Sequence, residues 1–301
     1  MEEIQGLVIR THGGHYYVQA EGSLYDCTLR GRLKRDQSGS DLIAIGDQVS
    51  LLPAPDDHGA ISRVLPRKSA FSRCPPPPRR PVEQVMVANP DQVLIVFAAC
   101  APPLNPLMLD RFLVACEAAG LPALVAINKI ELADSLEIDP IIRLYTGIGY
   151  PVYPVSASTG QGLGPLRSQL EGKLTVLVGP SGVGKSSLLN AWWPELAMPT
   201  GEISLYHDRG KHTTVVAELL HPEETIYVAD TPGLRQLRFW RVTPANLENL
   251  FPEFRPWLGE CEYAPCAHLQ EEDCAVRAAV ASGAIAASRY DSYRRMYEFG
   301  F

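Results

Sequence analysis

Residues 179–186 have the spacing GxxxxGK[ST], which is typical of loops that bind nucleotide phosphates. Glycines allow backbone N–H groups to turn towards phosphate oxygens, and the positive end of the following helix dipole favours the same charge. We expect the Lys185 ammonium to reach the β- and γ-phosphates and the Ser186 hydroxyl to bind Mg²⁺, which prefers oxygen ligands. The predicted nucleotide-binding residues here are Gly179, Pro180, Ser181, Gly182, Val183, Gly184, Lys185, Ser186 and Ser187.

A second segment, Asp230-Thr231-Pro232-Gly233, is suited to the phosphate end of the same site. The Asp230 carboxylate could hold Mg²⁺ through water, and the backbone amide of Gly233 could bind a γ-phosphate. This tetrapeptide is also a common turn, so by itself it does not decide between a site and a simple loop.

Two further segments are suited to binding a purine base. In Asn128-Lys129-Ile130-Glu131, the Glu131 carboxylate could accept hydrogen bonds from guanine N1–H and N2–H₂, a donor pair that adenine lacks. The backbone of Ser156-Ala157-Ser158 could contact guanine O6. Together the two segments predict a preference for GTP over ATP.

A parallel sheet is the element that would bring these segments together. After residue 81, short apolar runs alternate with helical sequence, which is typical of an α/β domain. Each candidate segment follows a predicted strand, and ligands bind at the carboxyl ends of strands in open α/β sheets. The predicted strands are 93–99, 124–127, 152–155, 174–178 and 226–229, with helices at 107–119 and 186–193.

The first 72 residues have a different pattern. Short alternating segments at about ten-residue spacing, separated by turn formers, predict a small β-barrel; another kind of small β-domain stays an alternative. Residues 73–81 contain five prolines, which cannot donate to a sheet, so this segment is predicted to be a stiff extended linker. The predicted strands are 6–10, 15–20, 24–29, 48–52 and 60–65.

Charge is distributed unevenly along the chain. The net charge is −7, yet residues 1–80 hold 11 Lys and Arg against 9 Asp and Glu, whereas residues 81–301 hold 16 against 25. The mildly basic N-terminal region could bind an anionic partner, but its charge does not require one. Tyrosines 16, 17 and 25 could stack on bases or belong to the core. The basic residues are Arg30, Arg32, Lys34, Arg35, Arg63, Arg67, Lys68, Arg73, Arg79 and Arg80.

Near the end of the chain, a Cys/His cluster has the composition of a zinc site. Three thiolates and one imidazole suit tetrahedral Zn²⁺, and four protein ligands close its shell, so we expect one structural ion. The alternative is a set of reduced surface cysteines beside an unrelated histidine. The total of seven cysteines, an odd number, argues against a uniform disulfide framework. The expected ligands are Cys261, Cys266, His268 and Cys274.

The overall composition excludes two classes of protein. With 46% apolar and 20% charged residues, the chain is not predicted to be disordered. Its apolar runs fall short of the roughly 20 residues that a membrane helix needs. The acidic N-terminus, MEEIQGLVIR, lacks the pattern of a signal peptide, so we expect a cytoplasmic protein that does not contact membranes.

The order of the motifs is unusual, because the base-recognition segments precede the phosphate loop and the magnesium segment follows it. This arrangement resembles a circularly permuted GTPase. The sequences TGEIS (200–204), RGKHTT (209–214) and DTPGL (230–234), with the terminal Cys/His cluster, resemble the ribosome small-subunit-dependent GTPase family RsgA, also called YjeQ. The resemblance covers essentially the whole chain. One position departs from it, since the family's base-recognition motif usually ends in Asp and here ends in Glu131.

The resemblance implies a function. It implies a monomer that hydrolyses GTP to GDP and phosphate, carries structural zinc and uses Mg²⁺ with GTP. The implied partners are the small ribosomal subunit and its rRNA, with the protein cycling on and off the subunit during its late maturation and turning over faster when bound. Two alternatives stay open: a non-enzymatic RNA-binding module with a structural nucleotide, and a permuted GTPase of another ribosomal assembly step.

The water-positioning group is the least conventional part of the predicted mechanism. Ras-like enzymes orient the attacking water with a Gln just after the DxxG glycine, and Leu234 occupies that position here. His212 is the candidate substitute, although it could instead only cap or pack its segment. We expect Thr213 or Thr214 to bind Mg²⁺ and residues 200–214 to act as a nucleotide-dependent switch.

These observations predict a multidomain α/β protein. We assign residues 1–72 to an RNA-binding barrel of the oligonucleotide-binding (OB) type and residues 73–81 to a Pro-rich linker. Residues 82–243 form a circularly permuted P-loop GTPase domain, and residues 244–301 form a mostly helical, zinc-binding domain.

Overall fold

The computed structural model describes residues 2–30, 43–74, 83–199, 217–230 and 240–300. Its first five strands form a barrel in the order β1–β2–β3–β5–β4, and β4 pairs with β1 to close it. The strands are β1 (Ile4–His12), β2 (His15–Ala20), β3 (Ser23–Leu29), β4 (Gln48–Pro53) and β5 (His58–Val64). Alternate side chains point inwards, so Val8, Val18, Val49 and Ile61 are fully buried in the barrel core. The predicted barrel is confirmed.

The Pro-rich segment lies between two strands that pair with each other. Strand β6 (Ala70–Arg73) runs antiparallel to β7 (Gln84–Ala88), so the chain enters and leaves the segment at neighbouring positions. Residues 75–82 are outside the described part of the structure. The sequence did not predict this pair, because each strand is short and flanked by prolines. The assignment of 73–81 as an interdomain linker stays a prediction.

The central sheet carries the elements that the motifs require. Strands β10–β9–β8–β11–β13 are parallel, and β12 joins the edge of β13 antiparallel. Apolar clusters cover both faces of this sheet. The strands are β8 (Gln92–Ala98), β9 (Ala123–Asn128), β10 (Val152–Pro154), β11 (Leu174–Val178), β12 (Ala217–Glu223) and β13 (Ile226–Asp230). The helices are α1 (Pro106–Ala119), α2 (Ser135–Ile148), α3 (Leu163–Ser168) and α4 (Lys185–Trp192).

The barrel and the central sheet are joined edge to edge. Strand β12 pairs antiparallel with β1, with Arg10 opposite Glu218 and Thr11 opposite Ala217. Within the described residues, the two units therefore form one continuous eleven-stranded sheet.

The C-terminal region is built from short helices that pack on α1. It contains 3₁₀ turns at Leu247–Leu250 and Pro252–Trp257, then α5 (Ala275–Ala281) and α6 (Ala287–Phe299). Val114 of α1 belongs to the same apolar cluster as Phe251, Phe254 and Tyr293. In the described part of the chain, no helix has the length and apolar character needed to cross a membrane.

A buried ion pair anchors this region. The Arg289 guanidinium is 1% exposed and donates to Asp110 Oδ1 of α1 at 2.5 Å and to Glu253 Oε1 at 2.6 Å. The Tyr145 hydroxyl of α2 donates to the same Asp110 oxygen at 2.7 Å. Burial alone would lower the pKa of Arg289, but Asp110 and Glu253 raise it above its ordinary value.

Candidate functional site

The phosphate-binding motif forms the turn between β11 and α4, at the carboxyl edge of the central sheet. Gly179 has a φ of +142°, and a Cβ there would lie 2.1 Å from the Val96 carbonyl oxygen. Gly184 has a φ of +94°, and a Cβ there would lie 2.3 Å from Asn128 Nδ2. Both positions therefore require glycine, for backbone conformation and for space.

Lys185 points into this turn. Its ammonium donates to the carbonyl oxygens of Gly179 at 2.9 Å and Pro180 at 2.8 Å. Ser186 and Ser187 lie in the first turn of α4, half-buried beside it. The turn thus gathers an ammonium and a hydroxyl pair at the start of a helix.

Asp230 ends β13, and its Cα is opposite Leu177 of the neighbouring strand β11. Burial raises the pKa of Asp230, and the charge of Lys185 lowers it in part, so the two side chains lie within electrostatic range. The carboxylate of Asp230 and the ammonium of Lys185 thus lie at the same edge of the sheet, and their magnesium and phosphate roles stay predictions.

Asn128 connects the phosphate loop to the second candidate base-binding loop. Its side chain is 1% exposed. Nδ2 donates to the Val183 carbonyl at 2.9 Å, and Oδ1 accepts from the Ala157 N–H at 3.0 Å. Three segments that are distant in sequence are therefore held around one buried amide.

Lys129 makes a second connection. Its backbone is left-handed, with a φ of +62°, and its ammonium donates to the carbonyl oxygen of Gly182 at 2.7 Å and to that of Ala101. The loop after β8, which contains Ala101 and Pro102, was not among the predicted site residues. Its only signal in the sequence was its place at the end of a predicted strand.

Glu131 lies in a 3₁₀ turn at Ile130–Leu132, facing the loop after β10. Its Oε1 accepts a hydrogen bond of 2.6 Å from the Ser158 hydroxyl. Ser156 is fully buried, and its Oγ is 3.2 Å from Ser158 Oγ. Burial alone would raise the pKa of Glu131, but hydrogen bonds from Ser158 and Ser156 and the charge of Lys129 outweigh it, so the pKa is lowered. Glu131 is therefore held as a carboxylate.

Several predicted residues lie outside the described part of the structure. They are Thr213 and Thr214 as magnesium ligands, His212 as the candidate catalytic residue, Gly233 at the γ-phosphate, Leu234, and the whole segment 200–214. Their roles stay predictions.

The four predicted zinc ligands are brought together. One ligand atom from each of Cys261, Cys266, His268 and Cys274 lies within 4.8 Å of the others. The distance from Cys261 Sγ to Cys274 Sγ is 3.8 Å, and His268 Nδ1 is 3.6 Å and 3.3 Å from these two sulfurs. Tetrahedral Zn²⁺ with bonds of about 2.3 Å to sulfur requires S···S edges of about 3.8 Å. The donor set therefore fits Zn²⁺ in both chemistry and spacing.

Residues around the cluster orient its ligands, and the sequence analysis missed them. Glu248 Oε2 is 3.0 Å from His268 Nε2, which leaves Nδ1 turned towards the cysteines. The Tyr290 hydroxyl donates to the His268 carbonyl at 2.7 Å, and the Tyr293 hydroxyl donates to the Ala267 carbonyl at 2.8 Å. Asp273, the sequence neighbour of Cys274, is exposed. No short-range pattern links Glu248 to the cluster.

The predicted nucleic-acid face is only partly available. Arg30, Arg63 and Lys68 are exposed. Arg67 instead makes two 2.7 Å hydrogen bonds to the buried Asp47 carboxylate, so its guanidinium belongs to the fold. Residues 32, 34, 35, 79 and 80 are outside the described ranges.

The tyrosines of the barrel are also partly committed to the fold. Tyr16 and Tyr25 pack against the barrel core, and the guanidinium carbon of Arg10 lies 3.9 Å from the ring centre of Tyr17. None of these three rings is thus a fully open stacking surface.

Comparison with known proteins agrees with this architecture. A family model described as RsgA GTPase matches residues 64–240, and one described as RsgA N-terminal domain matches residues 5–61. The chain is 42% identical to the small ribosomal subunit biogenesis GTPase RsgA of Gemmatimonas aurantiaca, over 97% of this chain and 95% of the relative. It is 40% identical to the protein of the same name from Moorella thermoacetica, over 96% and 95%.

Two solved structures share the fold. One is YjeQ from Thermotoga maritima, with a TM-score of 0.79 and 33% identity over 99% of both chains. The other is YloQ, described as a circularly permuted GTPase, with a TM-score of 0.76 and 30% identity over 99% of this chain and 95% of that one. The predicted fold class is confirmed, and the chain belongs to the RsgA GTPase family.

Proposed function

We propose that this protein hydrolyses GTP to GDP and phosphate during biogenesis of the small ribosomal subunit. The relatives at 40–42% identity are named for that role. The observation that carries the proposal is the position of Asn128, whose amide contacts both the phosphate loop and the Ala157 loop. A guanine nucleotide bound with its phosphates at Lys185 would then have its base beside Glu131.

Each part of the nucleotide has a group suited to it. The Lys185 ammonium would neutralise charge on the β- and γ-phosphates, and the backbone N–H groups of residues 181–185 would hold their oxygens. The Glu131 carboxylate would read the N1–H and N2–H₂ edge of guanine. Ser186 and Asp230, with Thr213 or Thr214, would hold Mg²⁺, which would neutralise phosphate charge. His212 would orient the attacking water in place of the Gln whose position Leu234 occupies.

The Cys/His cluster would hold one structural Zn²⁺. Four protein ligands leave no open coordination position for substrate, so the ion would stabilise the C-terminal domain and not take part in hydrolysis. Glu248 would fix the orientation of His268 towards the metal.

We further propose that a cytoplasmic monomer binds rRNA of the small subunit through the barrel. Arg30, Arg63 and Lys68 are the exposed cations that support this surface. Phosphate neutralisation by such residues would make the affinity fall steeply with salt.

Steady-state GTPase assays with and without purified small ribosomal subunits test the proposal. We expect slow intrinsic turnover that small subunits raise and large subunits do not, and tighter co-sedimentation with a GTP analogue than with GDP. Lys185→Ala should lose nucleotide binding. His212→Ala should lose turnover and still bind nucleotide. Absence of turnover in all conditions, with nucleotide still bound, would favour the non-enzymatic RNA-binding alternative.

A further inference from the structure

The contact between Ser158 and Glu131 bridges two loops that the proposed function places at the guanine base. The Ser158 hydroxyl is 2.6 Å from Glu131 Oε1, across 27 residues of sequence. Both residues are exposed, so the contact is not forced by burial in a core. Its shortness is typical of a hydroxyl that donates to an ionised carboxylate.

The direction of the hydrogen bonds follows from the donors available. An ionised carboxylate only accepts, so the single proton of the Ser158 hydroxyl is used on Glu131. Within the pair of hydroxyls, whose oxygens are 3.2 Å apart, Ser158 can then only accept, and Ser156 also lies close enough to Glu131 for a hydrogen bond that lowers the pKa of that carboxyl. Ser156 Oγ in turn accepts from the Thr159 N–H at 3.1 Å. The hydroxyl groups of the 156–159 turn are therefore directed at the carboxylate of Glu131, with Ser158 making the shorter contact.

The length of Glu131 explains why such a chain matters. Relative to Asp, Glu has one more rotatable bond and places its carboxylate about 1.5 Å further from the backbone. A glutamate side chain without a fixed partner at this exposed position would lose conformational entropy on binding a base, which would weaken the affinity. The Ser158 hydroxyl restricts that side chain before binding. Because a carboxylate has about four acceptor positions, one bond to Ser158 leaves room for N1–H and N2–H₂ of guanine.

We propose that Ser158 is the positioning residue that allows Glu131 to recognise guanine. The Ser158 side chain, and not only the backbone of its loop, then sets base specificity in this chain. The proposal rests on the proposed guanine-nucleotide site.

The test compares GDP with IDP, whose base lacks the 2-amino group. We expect Ser158→Ala to weaken GDP binding roughly three- to tenfold, the size of one hydrogen bond. IDP binding should weaken by a smaller factor, because hypoxanthine keeps N1–H as a donor to Glu131 and loses only the bond from the 2-amino group, so the GDP/IDP preference should shrink. Ser158→Thr keeps the hydroxyl and should retain most of the GDP affinity. Without Ser158, the pKa of Glu131 rises, so the loss of GDP affinity on acidification should begin at higher pH.

A double-mutant cycle separates positioning from a general structural effect. In the Glu131→Asp background the shorter carboxylate does not reach Ser158, so Ser158→Ala should have little further effect on the GDP/IDP ratio. Ser135→Ala, at an exposed serine on α2, is the matched control and should behave as wild type. Unfolding temperatures of all variants are measured in parallel.

These measurements separate the positioning role of Ser158 from guanine recognition by Glu131. A wild-type preference for GDP over IDP that Ser158→Ala leaves unchanged, or equal weakening of both nucleotides, would overturn the role of Ser158 alone. Equal affinity of the wild type for GDP, IDP and ADP would refute guanine recognition by Glu131, and with it both proposals.

Discussion

The side-chain amide of Asn128 donates a 2.9 Å hydrogen bond to the backbone carbonyl of Val183, 55 residues further along the chain. The same amide accepts from the Ala157 N–H, so one buried side chain links the phosphate loop to the proposed base-binding loops. The geometry of the proposed nucleotide site therefore depends on this contact as well as on the motifs.

Replacing Asn128 tests that relationship. In Asn128→Ala, the Val183 carbonyl and the Ala157 N–H lose their partner, which we expect to cost about 1–3 kcal/mol of unfolding free energy. Nucleotide affinity should fall as well, because the loops are no longer held together. Denaturant unfolding and fluorescent GDP binding measure the two effects. Unchanged GDP affinity would show that the loops are positioned by other contacts.

Gly184 offers a test with a matched control elsewhere in the chain. A Cβ at Gly184 would lie 2.3 Å from Asn128 Nδ2, whereas a Cβ at Gly160 would have no neighbour within 4 Å. Their φ angles, +94° and +84°, are similar, so the backbone strain is comparable. We expect Gly184→Ala to be less stable than Gly160→Ala by about 1–3 kcal/mol, the cost of overpacking. Equal unfolding free energies for the two variants would contradict this account.

The buried Arg289 should be a strong anchor of the C-terminal domain. Arg289→Ala removes the cation that pairs with Asp110 and Glu253 and leaves the buried Asp110 carboxylate with only the Tyr145 hydroxyl as a donor, and breaking such a pair costs about 3–5 kcal/mol. Arg294 is the control, because its side chain is 46% exposed and 3.9 Å from Glu298. Arg294→Ala should change stability by less than about 1 kcal/mol. Chemical denaturation of both variants decides the point.

Zinc removal should loosen the C-terminal domain and leave the barrel folded. We expect the purified protein to contain one equivalent of zinc by metal analysis, and Cys274→Ser to lose it with a lower unfolding temperature. Glu248→Gln should keep the four ligands but weaken zinc binding by about 10–100-fold, because His268 loses its orienting carboxylate. The exposed Glu260 is the control, and Glu260→Gln should bind zinc as the wild type does. Full zinc affinity in Glu248→Gln would refute the orienting role.

The sequence by itself determined the local elements and the residue types that carry the chemistry. Strand β11 and its glycine-rich turn could be predicted because buried apolar runs and the GxxxxGK[ST] spacing are local patterns. The Cys261–Cys274 cluster could be predicted for the same reason. The five barrel strands follow from alternation of apolar and polar residues, which is also a local signal.

Only the tertiary structure decided which residues meet across long sequence separations. The contacts of Asn128 with Val183, Ser158 with Glu131, and Glu248 with His268 each join separate loops, and no short-range pattern specifies such pairs. The pairing of β12 with β1 likewise depends on edge hydrogen bonds between backbones, which are alike for almost every sequence. The tertiary structure also decided that Arg67 stabilises the fold. An arginine can pair with an RNA phosphate or with a buried carboxylate, and the residue type alone does not show that the partner here is Asp47.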